Sequence, residues 1–459
     1  MANLVSPAVP QYWALVGLRR LLEITPGVAS VNRQFAPALA RAGSQVNAWR
    51  ADRRTTRRME AADGYVAADA NLTAVPVVLD QYFFDSFVIL DEENALSIPE
   101  LTRIHMMPAI EGIARGIDRA ILGRVHAFLR QGSPLKRAGA LNSITKTNAS
   151  DYILEAEEVL AGNLAPMEGI RTAIVHHTAN TKLMGSPEFS RSDARAVGPT
   201  VLTGSVGVVY NTRVIMSQNV NYAYGPTLDT AATAINEVAG YAAGEAGALT
   251  VDTGLTWTVG EYVNVEGNDQ PTFITASGAS TNVTLNEELK YAVADGAVVT
   301  QYLKVANEAT TRAAGYQKPM TFTHTASKPL QQGQLISFGT GGSRHTYTII
   351  EVSATTSTTS TVLLDRPLEA SVASGADAFP GPSGSMNPVL HEDAIAFVSR
   401  PMDPVQAGAG ANSGVANYNG VGIRVVVQYD SSAGGHRVNV DVLAGISVLD
   451  VDLLCVMCA

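Results

Sequence analysis

The sequence predicts an α+β protein whose middle is interrupted by an all-β insertion, and three stretches predict it. Gly422 to Asp430 and Arg437 to Gly445 alternate β-branched and polar residues around Ser431-Ser432-Ala433-Gly434-Gly435, a hairpin pattern. Ile110, Ile113, Ile117, Ile121, Val125 and Phe128 recur at helical spacing. Between Pro226 and Ser385 the composition shifts to Thr, Gly, Val and Ser, and a pattern of roughly seventy-five residues recurs.

Each element follows in order. Residues 1–40 are apolar and punctuated by Pro7, Pro10, Pro26 and Pro37, which limit helix length and suggest a strap laid over something else. A basic cluster follows: Arg41, Arg50, Arg53, Arg54, Arg57 and Arg58, relieved only by Asp52. It reads either as a solvated charged turn or as an intersubunit ion-pair patch, with Asp91, Glu92 and Glu93 of a neighbouring copy as partners. Val75 to Leu79 and Tyr82 to Leu90 are strand-like and complete an extended excursion that is improbable without support from another chain.

Ser97 is the expected N-cap of the long helix, with Pro99 and Glu100 in its first turn. Glu111 and Arg115 form an i,i+4 pair on its polar side, and Pro108 is expected to kink the helix without ending it. A second helix is expected from about Asp151 to Ala161, a strand from Arg171 to Thr178, and two more within Val201 to Met216.

In the insertion, Val283 to Leu289 is echoed by Val362 to Leu368, Gly260 to Val263 by Gly333 to Ile336, and Thr272 to Ile274 by Tyr347 to Ile349. Two β modules or two halves of one barrel would explain this. The run Ser353 to Thr361 reads as a strand connection, and Pro380 to Gly384 as the closing boundary.

Composition narrows the function classes. Only 16% of the 459 residues are charged, which suits a surface partly covered by neighbouring subunits. The net charge of -10 is concentrated in the insertion, where 15 acidic residues face 7 basic ones, unlike the basic face of a nucleic-acid reader. Cys455 and Cys458 are the only cysteines, so no disulfide framework is expected. Arg19 and Arg20 follow the first apolar stretch, against the order of a signal peptide, and no apolar run of about eighteen residues suggests a membrane span. The expected site of synthesis is the cytosol.

Catalytic patterns are weak. His176 and His177 read as adjacent strand residues facing opposite sides, which argues against one metal. Cys455 and Cys458 have the spacing of half a zinc site but no second ligand pair, so partly buried thiols are favoured over a metal or redox role. Gly339 to Ser343 could cradle a phosphate, yet no Lys follows, and it reads as a turn. No catalytic, cofactor or metal residue is assigned, and no enzymatic activity is expected.

In this order, the N-terminal arm, basic excursion, long helix, α+β unit and terminal strand pair resemble the major capsid proteins of tailed bacteriophages, which have the Hong Kong 97 fold. Val75 to Phe128, Gly185 to Asn219 and His391 to Gly445 carry the resemblance, the last including a return strand at His391 to Pro401. The inserted β region further resembles the short-tailed phage branch with an outward-facing β domain. The resemblance implies an N-terminal arm (1–40), an extended loop (41–96), a peripheral domain with a spine helix (97–165) and the first part of an apical domain (166–225). The inserted β domain (226–385) and the return strands of the apical and peripheral domains (386–459) follow. It also implies self-assembly through hexamers and pentamers, scaffolding, portal and decoration partners, non-specific contact with packaged DNA, no membrane, and a virion capsid assembled in the host cytoplasm. Rival readings are an encapsulin-like shell around protein cargo and a β-rich adhesin or glycan-binding protein.

Overall fold

A computed structural model describes residues 8–33, 45–51, 72–90, 98–130, 135–167, 171–190, 206–223, 230–245, 247–252, 255–277, 281–325, 328–405, 411–418 and 420–459. In chain order the first elements are α1 (Ala8–Ile24), α2 (Pro26–Ala29), β1 (Gln45–Ala51), β2 (Leu72–Val78), β3 (Gln81–Leu90), α3 (Ile98–Leu101) and α4 (Met107–Arg124). Next come β4 (Lys136–Ala138), α5 (Ala149–Gly162), β5 (Arg171–Val175), α6 (His177–Met184), α7 (Pro187–Ser190), β6 (Gly207–Val209), β7 (Thr212–Met216) and β8 (Asn221–Ala223). Twelve strands follow among the described residues of 226–385: β9 (Thr230–Ala234), β10 (Ala248–Thr250), β11 (Tyr262–Val265), β12 (Thr272–Ser277), β13 (Asn282–Leu285), β14 (Val298–Tyr302), β15 (Val305–Asn307), β16 (Met320–Thr323), β17 (Leu335–Phe338), β18 (His345–Thr355), β19 (Thr359–Leu364) and β20 (Asp377–Pro380). The chain closes with β21 (Gly384–Leu390), β22 (Ile395–Arg400), β23 (Ala411–Tyr418), β24 (Val421–Asp430), β25 (Gly435–Val448) and β26 (Leu454–Cys458). The α+β class expected from the sequence is the class observed.

The chain divides into two compact units. The first holds α1 up to Leu21, β1 to α3, α4 up to Ile113, and β22 to β25. Its centre is a five-stranded antiparallel sheet in the order β22-β25-β24-β23, with β3 also paired to β25. The hairpin read from the sequence is β24 and β25, joined from Asp430↔Gly435 to Arg424↔Asp441. β3 pairs along its whole length, from Gln81↔Ala444 to Leu90↔Gly435. For β3 this departs from the expected support by another chain, because the strand finds its partner in its own chain; residues 52–71 of the excursion lie outside the described residues. The β1–β2 hairpin buries Ala48 and Val77, together with Leu79, against Ala396, Val398 and Leu443.

The N-terminal segment also departs from expectation. A helix of 17 residues occupies α1. Pro10 lies in its first turn, where no intrahelical N–H bond is required, and Pro26 comes only after its end. Trp13 Nε1 donates to Thr102 Oγ1 at 2.7 Å, and Arg20 Nη2 meets Glu111 Oε1 at 2.9 Å. Helical structure then runs from α3 through a π turn at Thr102–Met106, α4 and a 3-10 turn at Val125–Phe128. Pro108 lacks an N–H, and the π turn immediately before it relieves the missing bond. Ile110, Ile113, Ile117, Ile121 and Val125 are all buried, as their spacing requires. Ser97, the expected cap, lies outside the described residues.

The second unit is built on a seven-stranded sheet, β4-β26-β21-β5-β7-β6, with β8 also paired to β21. β26 is buried throughout, parallel to β4 and antiparallel to β21. α5 buries Tyr152, Ile153, Ala156 and Leu160 and packs against β4 and β26. Asp118 of α4 is fully buried and accepts from Gly27 N (2.7 Å), Asn219 Nδ2 (2.9 Å) and Ser217 Oγ (3.1 Å). Burial raises its carboxyl above the usual range, although those three bonds favour the charged form.

Strands β9 to β20 form two modules with one strand order. The first is β10-β13-β12-β11-β14-β9, and the second is a closed barrel that reads β16-β19-β18-β17-β20-β15 from the equivalent strand. A bridge between Ile235 and Val251 joins the ends of the first module, and each module has its own apolar core. The repeat therefore marks two modules and not two halves of one barrel. Its physical basis is shared turns. Gly244 and Gly315 both have φ +84, and their N–H groups donate to Leu289 O and Leu368 O, each at 2.7 Å. Asn286 and Asp365 likewise accept from Phe273 N (2.9 Å) and Thr348 N (2.8 Å). The Ser353–Thr361 run forms the ends of β18 and β19 and their connecting turn.

Two glycines give a paired test. A Cβ on Gly445 would stand 2.4 Å from Val78 O, whereas one on Gly112 would meet nothing within 4 Å. Gly445→Ala is expected to destabilise by about 1–3 kcal/mol, and Gly112→Ala, in an exposed helical position, to stabilise by about 0.5–1 kcal/mol. Denaturant unfolding of both variants checks the opposite signs.

Candidate functional site

The terminal sheet is the candidate assembly surface because it combines the excursion with the closing strands. β3 alternates between the two faces, which places Tyr82, Phe84, Ser86, Val88 and Leu90 on one side. Tyr82 and Phe84 stack at 5.8 Å between centroids, and they are 42% and 64% exposed. Both exceed what a packed strand would leave uncovered. On the same face Arg424 Nη2 meets Asp441 Oδ2 at 2.7 Å, and Tyr82 OH donates to that oxygen at 3.0 Å. Burial first, then the Asp441 carboxylate, raises the Tyr82 hydroxyl above its ordinary range. Ser86 Oγ donates to Asn439 Oδ1 at 2.6 Å. These cross-strand pairs fix the register of two segments more than three hundred residues apart.

Of the proposed intersubunit residues, Arg50 lies on β1 and meets Asp450 of its own chain at 3.3 Å. That pair is partly exposed, so its contribution is of order 0–1 kcal/mol. Arg53, Arg54, Arg57, Arg58, Asp91, Glu92 and Glu93 lie outside the described residues. The exposed Tyr82–Phe84 pair was not singled out from sequence. Its signal was present, since β3 carries aromatic residues on both alternating faces.

The histidine pair requires a correction. β5 ends at Val175, His176 is the N-cap of α6, and His177 begins that helix. The chain turns there, so the two rings do not oppose each other across a strand. They lie 3.9 Å apart, and His176 also stacks on Tyr222 at 4.3 Å. Among the described residues no group of three His, Cys, Asp or Glu side chains could hold a metal ion. Cys455 and Cys458 are fully buried, beyond the partial burial expected, and burial raises both thiols, Cys458 to about 11. Gly341–Ser343 is a 3-10 turn between β17 and β18. No helix among the described residues is long and apolar enough to cross a membrane.

Two buried imidazoles link stability to pH. Burial, then Arg366, pushes His126 down to about 3, and burial, then His177, pushes His176 down to about 4. Their folded values lie below the unfolded value near 6.5, so the unfolded chain takes up protons first as the solution is acidified. The associated stability is complete above pH of about 6.5 and is lost progressively toward the folded values. A His126→Phe variant is expected to lose less stability than the parent between pH of about 6.5 and 4. Urea midpoints measured across that range check it.

No protein-family model matches the sequence, and no curated protein matches it. Among solved structures, the chain is similar to one from Mycobacterium phage Che8, at 12% identity and TM-score 0.44, covering 94% of this chain and 90% of that one. It is also similar to the capsid structure of the cyanophage P-SCSP1u (10% identity, TM-score 0.40, 91% and 84% covered). A third is the asymmetric unit of the bacteriophage PhiM1 mature capsid (9% identity, TM-score 0.38, 90% and 81% covered).

Proposed function

We propose that this chain is the major capsid protein of a tailed bacteriophage, assembling into the icosahedral shell around a double-stranded DNA genome on a Hong Kong 97-type fold. The observation that carries the reading is the non-local sheet of the first unit. A ten-residue strand ends the excursion, pairs along its whole length with β25, and stands ahead of the continuous helical run at 98–128. In the proposed division, 1–40 is the N-terminal arm, 41–96 the extended loop, 97–165 the peripheral domain, 166–225 and 386–459 the apical and returning segments, and 226–385 the inserted β domain.

Within this reading the chain's partners are further copies of itself in hexamers and pentamers, with scaffolding, portal and decoration proteins at assembly and packaged DNA held by non-specific contact. Assembly takes place in the host cytoplasm and the product resides in the virion. Arg53, Arg54, Arg57 and Arg58 meet Asp91, Glu92 and Glu93 of a neighbouring copy, and the exposed Tyr82–Phe84 pair is covered there. The concentrated negative charge of 226–385 suits a face turned away from DNA.

Electron microscopy of the expressed chain tests the function. Closed shells of uniform size are expected, and a product that remains monomeric with any scaffold supplied would contradict it. Shells holding protein cargo from a bacterial host, and never DNA, would replace the genome container with a compartment. Changing Arg53, Arg54, Arg57 and Arg58 together to Ala is expected to lower shell yield severalfold while far-UV circular dichroism of the subunit stays unchanged.

A further inference from the structure

A cavity of about 790 Å³ opens in the second unit between the β7–β8 turn and the second barrel. Its apolar lining includes Leu330, Ile349 and Ile350, all buried. Another part of the lining is a stack of rings. Tyr222 lies parallel to His176, 4° apart in plane, and the His177 ring packs against His176 at 3.9 Å, tilted by 45°. The position of His176 is fixed, since its N–H donates to Asn387 Oδ1 at 2.8 Å and its Nδ1 accepts from Thr178 N at 3.4 Å. His177 is exposed and lines the cavity.

The polar groups narrow the ligand. Arg119 is the one permanently charged side chain in the lining, and no carboxylate lines it among the described residues. Arg119 Nη1 donates to Ile350 O at 3.0 Å, and Gln332, with its amide oxygen turned inward, accepts from Arg119 Nη2 at 2.6 Å. Gln218 is an exposed amide that offers a donor and an acceptor, and Gln332, its oxygen held by Arg119, presents its NH2 as a donor. A simple anion would leave the ring stack unused, and a neutral sugar would leave the guanidinium unused. A volume near 790 Å³ is ample for a small organic ligand.

We propose that this cavity binds a nucleotide unit, its base packing on the exposed His177 ring, its edge meeting the glutamine amides and its phosphate drawn to Arg119. Imidazole and tyrosine rings stack with every base, while an amide pairs in bidentate fashion with adenine. The ligand unit is the same in a free mononucleotide and in an unpaired strand. A duplex keeps its bases stacked and cannot present one.

Titration of the full chain with AMP, adenosine and inorganic phosphate, followed by calorimetry, tests the site. AMP is expected to bind more tightly than either part, and His177→Ala to weaken it by about 10-fold or more. His177→Phe keeps an aromatic face and is expected to stay within about 3-fold of the parent, with circular dichroism confirming that both variants fold. No binding of AMP at about 10 mM, or equal affinity in His177→Ala, would overturn the proposal. So would phosphate binding as tightly as AMP, which would make the site a simple anion pocket. A single-stranded dA hexamer that outcompetes AMP while a duplex does not would identify an unpaired strand as the source, and equal competition by AMP and hexamer per nucleotide a free nucleotide.

Discussion

The fourteen residues of β25 must satisfy backbone hydrogen-bonding groups on both edges, and the first unit depends on how they do so. β3 pairs along Gly435 to Ala444. β24 pairs along Gly435 to Asp441, after which β22 takes over from Leu443 to Val448. Three segments are thereby held by one strand, and one of them, β3, lies more than three hundred residues away in sequence. Where β25 meets the backbone of β3 and of β2 most closely only glycine fits, as at Gly435 beside Ile89 O and Gly445 beside Val78 O. The arrangement makes the closing strands structural from the moment they are synthesised, and its loop-closure cost is offset only when the distant partners are in place.

The same economy of the last residues appears in the second unit. β26 lies inside the seven-stranded sheet, between β4 and β21, with both thiols buried. The two β modules are bonded to the rest of that unit at the β11–β12 loop of the first and at the start of β18 in the second. In the first, Arg137 Nη1 donates to Pro271 O at 2.9 Å and Leu141 N to Asp269 O at 2.8 Å. In the second, Thr346 Oγ1 donates to Leu129 O at 2.6 Å. A hydroxyl relay joins the modules, since Tyr262 OH lies 3.0 Å from Ser337 Oγ, which lies 2.9 Å from Thr346 Oγ1. Beside it Arg344 is buried over the faces of Phe273 and Tyr262, with centroids 3.9 and 4.7 Å away. A cation placed so deeply relies on ring faces and the Gly260 carbonyl for compensation. The modules are therefore fixed parts of their unit and not beads on a tether.

Elements with strong local signals were legible in the sequence. The Ile stripe of α4 encodes one buried face, which periodicity reads directly, and the alternation of β-branched with polar residues marked β24 and β25 as strands although most of their length is buried on both faces. The internal repeat was visible because its turns require glycines at fixed places, such as Gly260 and Gly333. Strands β21 and β26 escaped notice because they are buried on both faces and carry no alternation. α1 was obscured by Pro10, which starts a helix as readily as it interrupts one. The partner of β3 was not legible, because pairing across such a separation leaves no local mark. At the candidate surface, residue type revealed the basic cluster but not the exposure of Tyr82 and Phe84, which depends on the sheet they join.

The central claim is that β3 and β25 form one cooperative sheet within a single chain, and native-state hydrogen exchange of the unassembled subunit tests it most directly. Amides at 81–90 and 435–444 that bond across the two strands are expected to exchange together, with protection close to that of global unfolding. Rapid exchange at 81–90, with protection retained at the β24–β25 pairing, would contradict it and return the support of that strand to a neighbouring copy.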